Sequence, residues 1–592
     1  MHFPTTRRPL VLAAITTLTA WPLTAAPVKL VDQQPAAVTA PDQRTVLVDF
    51  GRVAFANIRL AIPANADQPI TVHFGEALKN GRINRKPPGT VRYASVTIQP
   101  KPGTVMRIAP PADKRNTKKT NDAHPPAILT PGEWGVVLPF RWIEVEGWPG
   151  ELKPTQITRQ AAFSATWDDD AAAFECSDET LNRIWELCRY SIKATTFAGV
   201  YVDGDRERIP YEADSYLNQL SHYYTDNDIR FARDTYDRLI HFATWPTEWA
   251  PHMIFIAHAD WMQTGDREWI APRYEKLKTK ALLERAGPDG LVTSDARQRK
   301  KSDIVDWPKT ERDGYVFTAK NTVVNAFHLA AIQRLAALAR AIGRDGEAGE
   351  LEARFNKTHA EFQNQLFDTK RGIYVDGVGT RHASHHANFF PLAFGLVPEE
   401  NRASVINFLR AKGMDCSVYA AQYLLEGLFE NGAADKALDL ITADNDRSWK
   451  HMVNSGTTIT WEAWDQKYKP NQDWNHAWGA APANLLPRYL LGAQAAEPGW
   501  KRASIRPHTG GLKHAKGKVP TPRGPILIHW IQDKTFKLSL TLPAKLPAHI
   551  DLPAAAGSST VLVDGKKVAA TRSGTRWTLT DTVSGTVEIE VR

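Results

Sequence analysis

The stretch YVDGDRERIPYEAD, at 201–214, holds five carboxylates: Asp203, Asp205, Glu207, Glu212 and Asp214. Arg206 and Arg208 complete the ionic cluster. Pro210 disfavours a helical Ile209 and suits the first turn of a following helix. Asp203, Asp205 and Glu207 are therefore expected in a loop. Glu212 and Asp214 are expected in a helical first turn, where the helix dipole favours negative charge. Such a cluster is either a solvated capping loop, with ion pairs worth little each, or the floor of a cleft that does acid–base chemistry.

A second stretch weighs toward the cleft. SGTTITWEAWDQKYKPNQDWNHAWGAAP, at 455–482, puts Glu462 between Trp461 and Trp464, followed by Trp474, His476 and Trp478. Flanking indoles are expected to desolvate Glu462 and raise its pKa. Three further loops mix aromatic and polar groups: Trp245, Glu248, Trp249 and His252; Asp303, Asp306 and Trp307; and His382, His385 and His386. Several such loops before apolar helices suggest one shared pocket. Carboxylates with tryptophans fit glycoside hydrolysis, in which one carboxylic acid protonates the leaving oxygen and the other carboxylate attacks the sugar or activates water. The histidines raise the question of zinc, but no HExxH or comparable ligand spacing occurs, so neither a metal nor a cofactor is expected. No G-x-S-x-G elbow or Walker loop is present, which argues against serine-hydrolase and phosphoryl-transfer chemistry.

These loops need a scaffold, and the periodicity supplies one. From 27 to 165 the chain alternates apolar and polar residues, as in VLVDFGRVAFANIRLAI and VVLPFRWIEVEGW, and reads as strands. The basic, proline-rich run 101–132 is expected to be partly an exposed loop. From about 166 to 497 the period becomes helical, with apolar i, i+3, i+4 spacing in segment after segment. SDETLNRIWELCRYSIKAT opens this region with Ser177 as the expected N-cap. Many helices with short connections and no intervening strand pattern indicate an all-α toroid or bundle of hairpins. Strands return from 498 to 592, with an Asp-Gly hairpin signal at Asp564–Gly565.

At 592 residues the chain exceeds a single core. Its net charge of +8 is mild for that length, and no nucleic-acid signature accompanies it. Nineteen tryptophans lean toward sugar stacking, with core packing as the plain alternative. Cys176, Cys188 and Cys416 form no CxxC pair, and free buried thiols are expected. Residues 1–26 carry Arg7 and Arg8, an apolar run from Leu10 to Trp21 and small residues ending at Ala26, which read as a secretory signal peptide. No later stretch reads as a bilayer span, so export to the periplasm or the extracellular space is expected.

With DFGR, FGE and FRWIEVEG in the first strand region, DGDRERIPYEAD, TWEAW and NHAWG, the sequence resembles the α-L-rhamnosidases of glycoside hydrolase family 78 over most of its length. That resemblance implies an (α/α)6 barrel flanked by N-terminal and C-terminal antiparallel β-sandwich domains. It implies an inverting hydrolase that removes terminal α-L-rhamnose from plant or algal glycans or glycosides. It assigns Glu207 as general acid, Glu462 as general base, and Asp203, Asp214 and His476 as sugar ligands, with Arg206 and Tyr211 beside them. Trp249 and Trp307 resemble the aromatic walls of the family's pocket. Two departures stand out. Many members carry Cys-Pro before the Arg-Glu-Arg core and Gly-Trp-x-Gly-Asp after it. Here Gly204 and Asp205 precede the core, and Tyr211 stands in place of the tryptophan. Asp205 is thus a rival for the role given to Asp203. Two other readings stay open: an (α/α)6 polysaccharide lyase on an acidic glycan, with Tyr211 or His476 as base, and a carbohydrate-binding relative without catalysis.

Overall fold

The structure is a computed structural model describing residues 27–118, 126–241, 243–554 and 557–592. Residues 1–26, which the sequence reading expects to be a signal peptide, lie outside the described residues. An N-terminal sheet domain, a helical domain and a C-terminal sheet domain follow one another, as the period changes predict.

The helical domain is a barrel of two layers. Six inner segments form a closed ring of neighbours: Glu212–Tyr223, His252–Thr264, Thr322–Ala341, His386–Ala393, Val418–Glu430 and the helical run 482–491. The inner helices are buried around most of their circumference, and in Glu212–Tyr223 that burial includes polar side chains such as Asp214, Asn218 and Gln219. Outer helices are amphipathic. In Arg230–Leu239, for example, Phe231, Ala232, Thr235, Tyr236 and Leu239 are buried and the other face is charged. Thr322–Ala341 has the length and apolar composition of a membrane span, contrary to the sequence reading, but it is an inner barrel helix buried on most of its surface by protein.

The first outer helix, Glu179–Thr195, is capped by Asp178 rather than Ser177. The Asp178 carboxylate accepts the N–H groups of Thr180 and Leu181, while the Ser177 hydroxyl accepts the N–H of Lys513. Pro210 likewise stands outside its helix, which begins at Glu212. All three cysteines are free and buried.

The N-terminal domain is an eight-stranded antiparallel sheet built on the long strand Thr45–Ala61, which has a register shift between Asp49 and Ala54. Part of the basic run 101–132 is not loop, because Val105–Ile108 pairs with the second half of that strand. The C-terminal domain has a seven-stranded and a five-stranded sheet. Among the described residues its pairs are antiparallel except Ala503–Ile505 with Ala548–Pro553, which run parallel. Ala173–Cys176, which precedes the barrel in sequence, is the edge strand of the seven-stranded sheet and ties the barrel entrance to the C-terminal domain. The hairpin at Asp564–Gly565 is present, with both residues at positive φ, as a type I′ turn requires.

Candidate active site

Two loops at one end of the barrel build the site. The first, 199–211, links an outer helix to the inner helix Glu212–Tyr223. It closes on itself: Asp203 N–H donates to Ile209 O at 2.9 Å, Ile209 N–H to Asp203 Oδ1 at 2.9 Å, and Arg208 N–H to Gly204 O at 3.1 Å. Gly204 is required here for space. A Cβ would lie 2.8 Å from Asp473 Oδ2 and 3.3 Å from Asn475 O, atoms of the second loop.

That second loop carries Glu462. Its backbone N–H donates to Asp473 O at 3.1 Å, its carbonyl accepts Trp478 Nε1 at 3.0 Å, and its Oε2 accepts Asp473 N–H at 3.0 Å. His476 N–H donates to Thr460 O at 2.9 Å. The loop is thus folded back on itself around the carboxylate.

Arg206 joins the loops. Its Nη1 donates to Glu462 Oε2 at 2.9 Å and its Nη2 to Oε1 at 3.2 Å, while Nε stands 3.8 Å from Glu207 Oε1. One guanidinium therefore touches both glutamates. Lys469 Nζ adds a second cation 3.1 Å from Glu462 Oε1. Burial alone would push the Glu462 carboxyl up, but Arg206, then His476 and Lys469, outweigh it and hold the carboxyl down at about 2. The raised pKa expected from the flanking indoles is therefore corrected. Glu462 is buried, but the cations beside it decide its charge.

Glu207 is the exposed member, with about 33% of its side chain accessible. Tyr211 OH donates to its Oε2 at 2.9 Å. The Tyr211 ring meets Trp249 edge-to-face at 5.7 Å, and Trp249 meets Tyr419 at 6.0 Å, so the replaced tryptophan position still belongs to an aromatic wall. Asp203 is buried, and its Oδ2 has no hydrogen-bond partner. Burial, and next the charge of Glu207, push it well above the usual carboxylate range. His476 Nε2 meets Asp214 Oδ1 at 2.7 Å, and burial raises Asp214 too.

Asp205, the rival of Asp203, turns away from this group. It is fully buried between Arg92 and Arg208, with Arg208 Nε at 2.9 Å and Nη2 at 2.6 Å from Oδ1. Its role in the structure is to anchor the loop. Trp307 is partly buried and meets the exposed Trp245 edge-to-face at 6.3 Å. Its N–H is held by Asp306, whose carboxylate also accepts Ser417 N–H at 2.8 Å and contacts His386 Nε2 at 2.6 Å. Glu248 accepts the N–H groups of Ile304 and Val305, which ties the loop bearing Trp249 to the loop bearing Trp307. The three histidines of 382–386 do not converge: His382 contacts Asp376, His386 contacts Asp306, and the ring of His385 meets Phe389 edge-to-face at 5.5 Å.

Several residues at the site were not singled out from sequence. Arg92, Thr90, Glu76 and Asn116 reach in from the N-terminal domain. Thr90 Oγ1 donates to Asp473 Oδ1, Asn475 Nδ2 to Glu76 Oε1 at 2.9 Å, and Asn116 Nδ2 to Asp205 O at 2.8 Å. Burial pushes Glu76 up to about 8. No local pattern marks these residues, because they act across a domain seam. Lys469 and Asp473 do lie in the tryptophan-rich stretch, where a cation and an acid beside Glu462 were the available signal. Glu462, Asp473 and His476 come close enough together to share a metal ion. The donor set argues otherwise: Arg206 and Lys469 occupy the Glu462 oxygens, and Thr90 and Arg206 N–H occupy those of Asp473.

Comparison with known proteins matches this architecture piece by piece. The profile of the bacterial alpha-L-rhamnosidase six-hairpin glycosidase domain matches residues 169–490, that of the C-terminal domain 492–567, and that of the concanavalin-like domain 39–100. The chain is 22% identical over 576 residues to an alpha-L-rhamnosidase of Alteromonas sp. (strain LOR), covering 89% of this chain and 58% of the relative. It is 27% identical over 487 residues to one of Formosa agariphila, covering 72% and 48%. The chain thus spans about half the length of these relatives. The solved alpha-L-rhamnosidase from Dictyoglumus thermophilum superposes with a TM-score of 0.79 at 18% identity, covering 96% of this chain and 64% of that one. The Streptomyces avermitilis alpha-L-rhamnosidase complexed with L-rhamnose gives 0.76 at 18% identity, covering 96% and 54%. With more than half of its residues matched by the central profile and both flanking domains matched in order, the chain belongs to the bacterial alpha-L-rhamnosidase six-hairpin glycosidase family.

Proposed function

We propose that this protein is an exported, inverting α-L-rhamnosidase acting on terminal α-L-rhamnose of plant or algal glycans or glycosides. The observation that carries the reading is the contact of Arg206 with both glutamates, one ionised and buried, the other accessible. Glu207 is the general acid: its exposed carboxyl donates a proton to the glycosidic oxygen as the bond to the anomeric carbon breaks. Glu462 is the general base: it stands ionised and takes a proton from the water that attacks the opposite face. An inverting pair needs roughly 6.5–9.5 Å between carboxyls to admit that water, and a guanidinium set between the two suits such a gap. Asp203, whose carboxyl is pushed up by burial and then by the charge of Glu207, has one oxygen without a protein partner for a sugar hydroxyl to meet. Asp214 fixes His476, and Tyr211, Trp249 and Trp307 supply the apolar walls.

The lyase reading needs Tyr211 or His476 as a base. Burial drives the Tyr211 hydroxyl well above its ordinary value, and His476 is held by Asp214, so neither stands ready to abstract a carbon-bound proton. Export rests on the basic and apolar pattern of residues 1–26.

The test is proton NMR of the anomeric signals during hydrolysis of an aryl α-L-rhamnoside by the purified protein. Early appearance of β-L-rhamnose is expected. Early α-L-rhamnose would overturn inversion, and an absence of release would overturn the sugar assignment.

A further inference from the structure

Beside the catalytic carboxylates, the seam between the N-terminal sheet and the Glu462 loop encloses a separate cavity of about 270 Å³. Trp142, Arg141 and Glu76 line one side, and Thr457, Trp461 and Trp474 the other. Trp461 and Trp474 stack on each other at 5.4 Å, with 22° between their planes. The indole N–H of each is buried without a hydrogen-bond partner. Buried donors are nearly always paired, so two orphan donors on neighbouring rings of one cavity wall leave that wall with hydrogen-bonding capacity that a ligand would meet once a ring turns toward it. Across from them the Arg141 guanidinium lies 4.6 Å over the Trp142 ring, held there by Asp49, whose oxygens accept its Nε and Nη2 at 2.8 Å each.

We propose that this seam is a second sugar-binding site, taking one neutral pyranose ring from the released sugar or from a further unit of the glycan. The inference rests on the carbohydrate reading of the neighbouring active site. Indole faces accept the apolar face of a sugar, and indole N–H and threonine hydroxyls meet its oxygens. The volume lies just under the ~300–1,000 Å³ of drug-sized sites, which suits one ring rather than a chain. The lining carries no net charge to recruit an acidic sugar: Asp49 neutralises Arg141, and Glu76 is buried and protonated to about pH 8.

Calorimetric titration of L-rhamnose into the wild type, Trp142→Ala and Leu78→Arg tests this. Leu78 is partly exposed and lines the same cavity, so its substitution blocks the site should Trp142→Ala fail to fold. Two sites are expected in the wild type. In each variant the second should weaken by about tenfold or more, a change of 1.4 kcal/mol, with turnover of an aryl α-L-rhamnoside unchanged. A parallel titration of a neutral rhamnose-containing trisaccharide, in the Glu207→Gln background, separates the two sources. A Trp142-dependent second site seen only with the trisaccharide assigns it to a glycan unit. A single site with both probes, indifferent to Trp142→Ala and Leu78→Arg, overturns the proposal. Trp142-dependent sugar binding without any hydrolysis would sink the hydrolase reading and leave the seam site standing.

Discussion

Arg206 and Glu462, 256 positions apart in the chain, form a buried bidentate pair, with Nη1 to Oε2 at 2.9 Å and Nη2 to Oε1 at 3.2 Å. The pair does two jobs at once. It keeps Glu462 ionised in a buried setting, and it places the Arg206 backbone so that Glu207, the next residue, emerges into the accessible part of the site. A buried pair of this kind need not add net stability, but breaking it leaves an uncompensated charge.

Glu207→Gln and Glu462→Gln are each expected to lose on the order of 10²–10⁴-fold in kcat, the usual worth of a positioned acid or base. Their stabilities should differ. Glu207 is partly exposed, so its variant should melt near the wild type. Glu462→Gln strands Arg206 and Lys469 and should melt lower. Turnover on an aryl α-L-rhamnoside, read beside calorimetric melting, checks both. Wild-type rates in either variant remove that residue from the mechanism.

Lys469→Met should move the acid limb of kcat/KM upward. Glu462 must be ionised to act as base, and Lys469 is one of the cations that lower its pKa. Removing an opposite charge at this range raises a carboxyl pKa by roughly 1–3 units. A pH–rate profile whose acid limb does not move would show that Lys469 does not tune the base.

Glu76 makes stability depend on pH in a stated direction. Its pKa is raised from 4.5 to about 8 in the folded chain. Between those values the folded state binds the proton and the unfolded state does not, so this group's contribution falls as pH rises through that window. Glu76→Gln removes the titration. The gap in melting temperature between wild type and variant should therefore shift in favour of the variant from pH 5 to pH 8. A constant gap would contradict the buried, protonated carboxyl.

Arg92→Ala should destabilise the chain by about 3–5 kcal/mol, because it takes one of two arginine partners from the buried Asp205. Arg92 belongs to the sheet domain and Asp205 to the first loop of the barrel, so activity is expected to fall with domain docking. Gly204→Ala probes the same packing, since its Cβ would push on Asp473 Oδ2 at 2.8 Å. Chemical denaturation with activity on the same samples reads both. An Arg92→Ala protein with unaltered stability and turnover would show that the seam does not support the site.

Much of this molecule is written locally in its sequence. The change from period two to helical period and back marks the sheet, barrel and sheet domains, because a side chain's facing follows from the geometry of its own element. The aromatic and acidic loops mark the site, since tryptophans beside carboxylates have few other uses. Tertiary structure alone decides the charges and roles within it. Glu462 looked set for a raised pKa from its neighbouring indoles, yet Arg206 from the other loop reverses the sign. Asp203 and Asp205 are near-equivalent on paper, and the closing of Arg92 and Arg208 on Asp205 makes it an anchor, while Asp203 keeps one carboxyl oxygen without a hydrogen-bond partner. Electrostatic energies at a few ångströms outweigh those of sequence neighbours, and which groups come that close is settled only when distant segments pack.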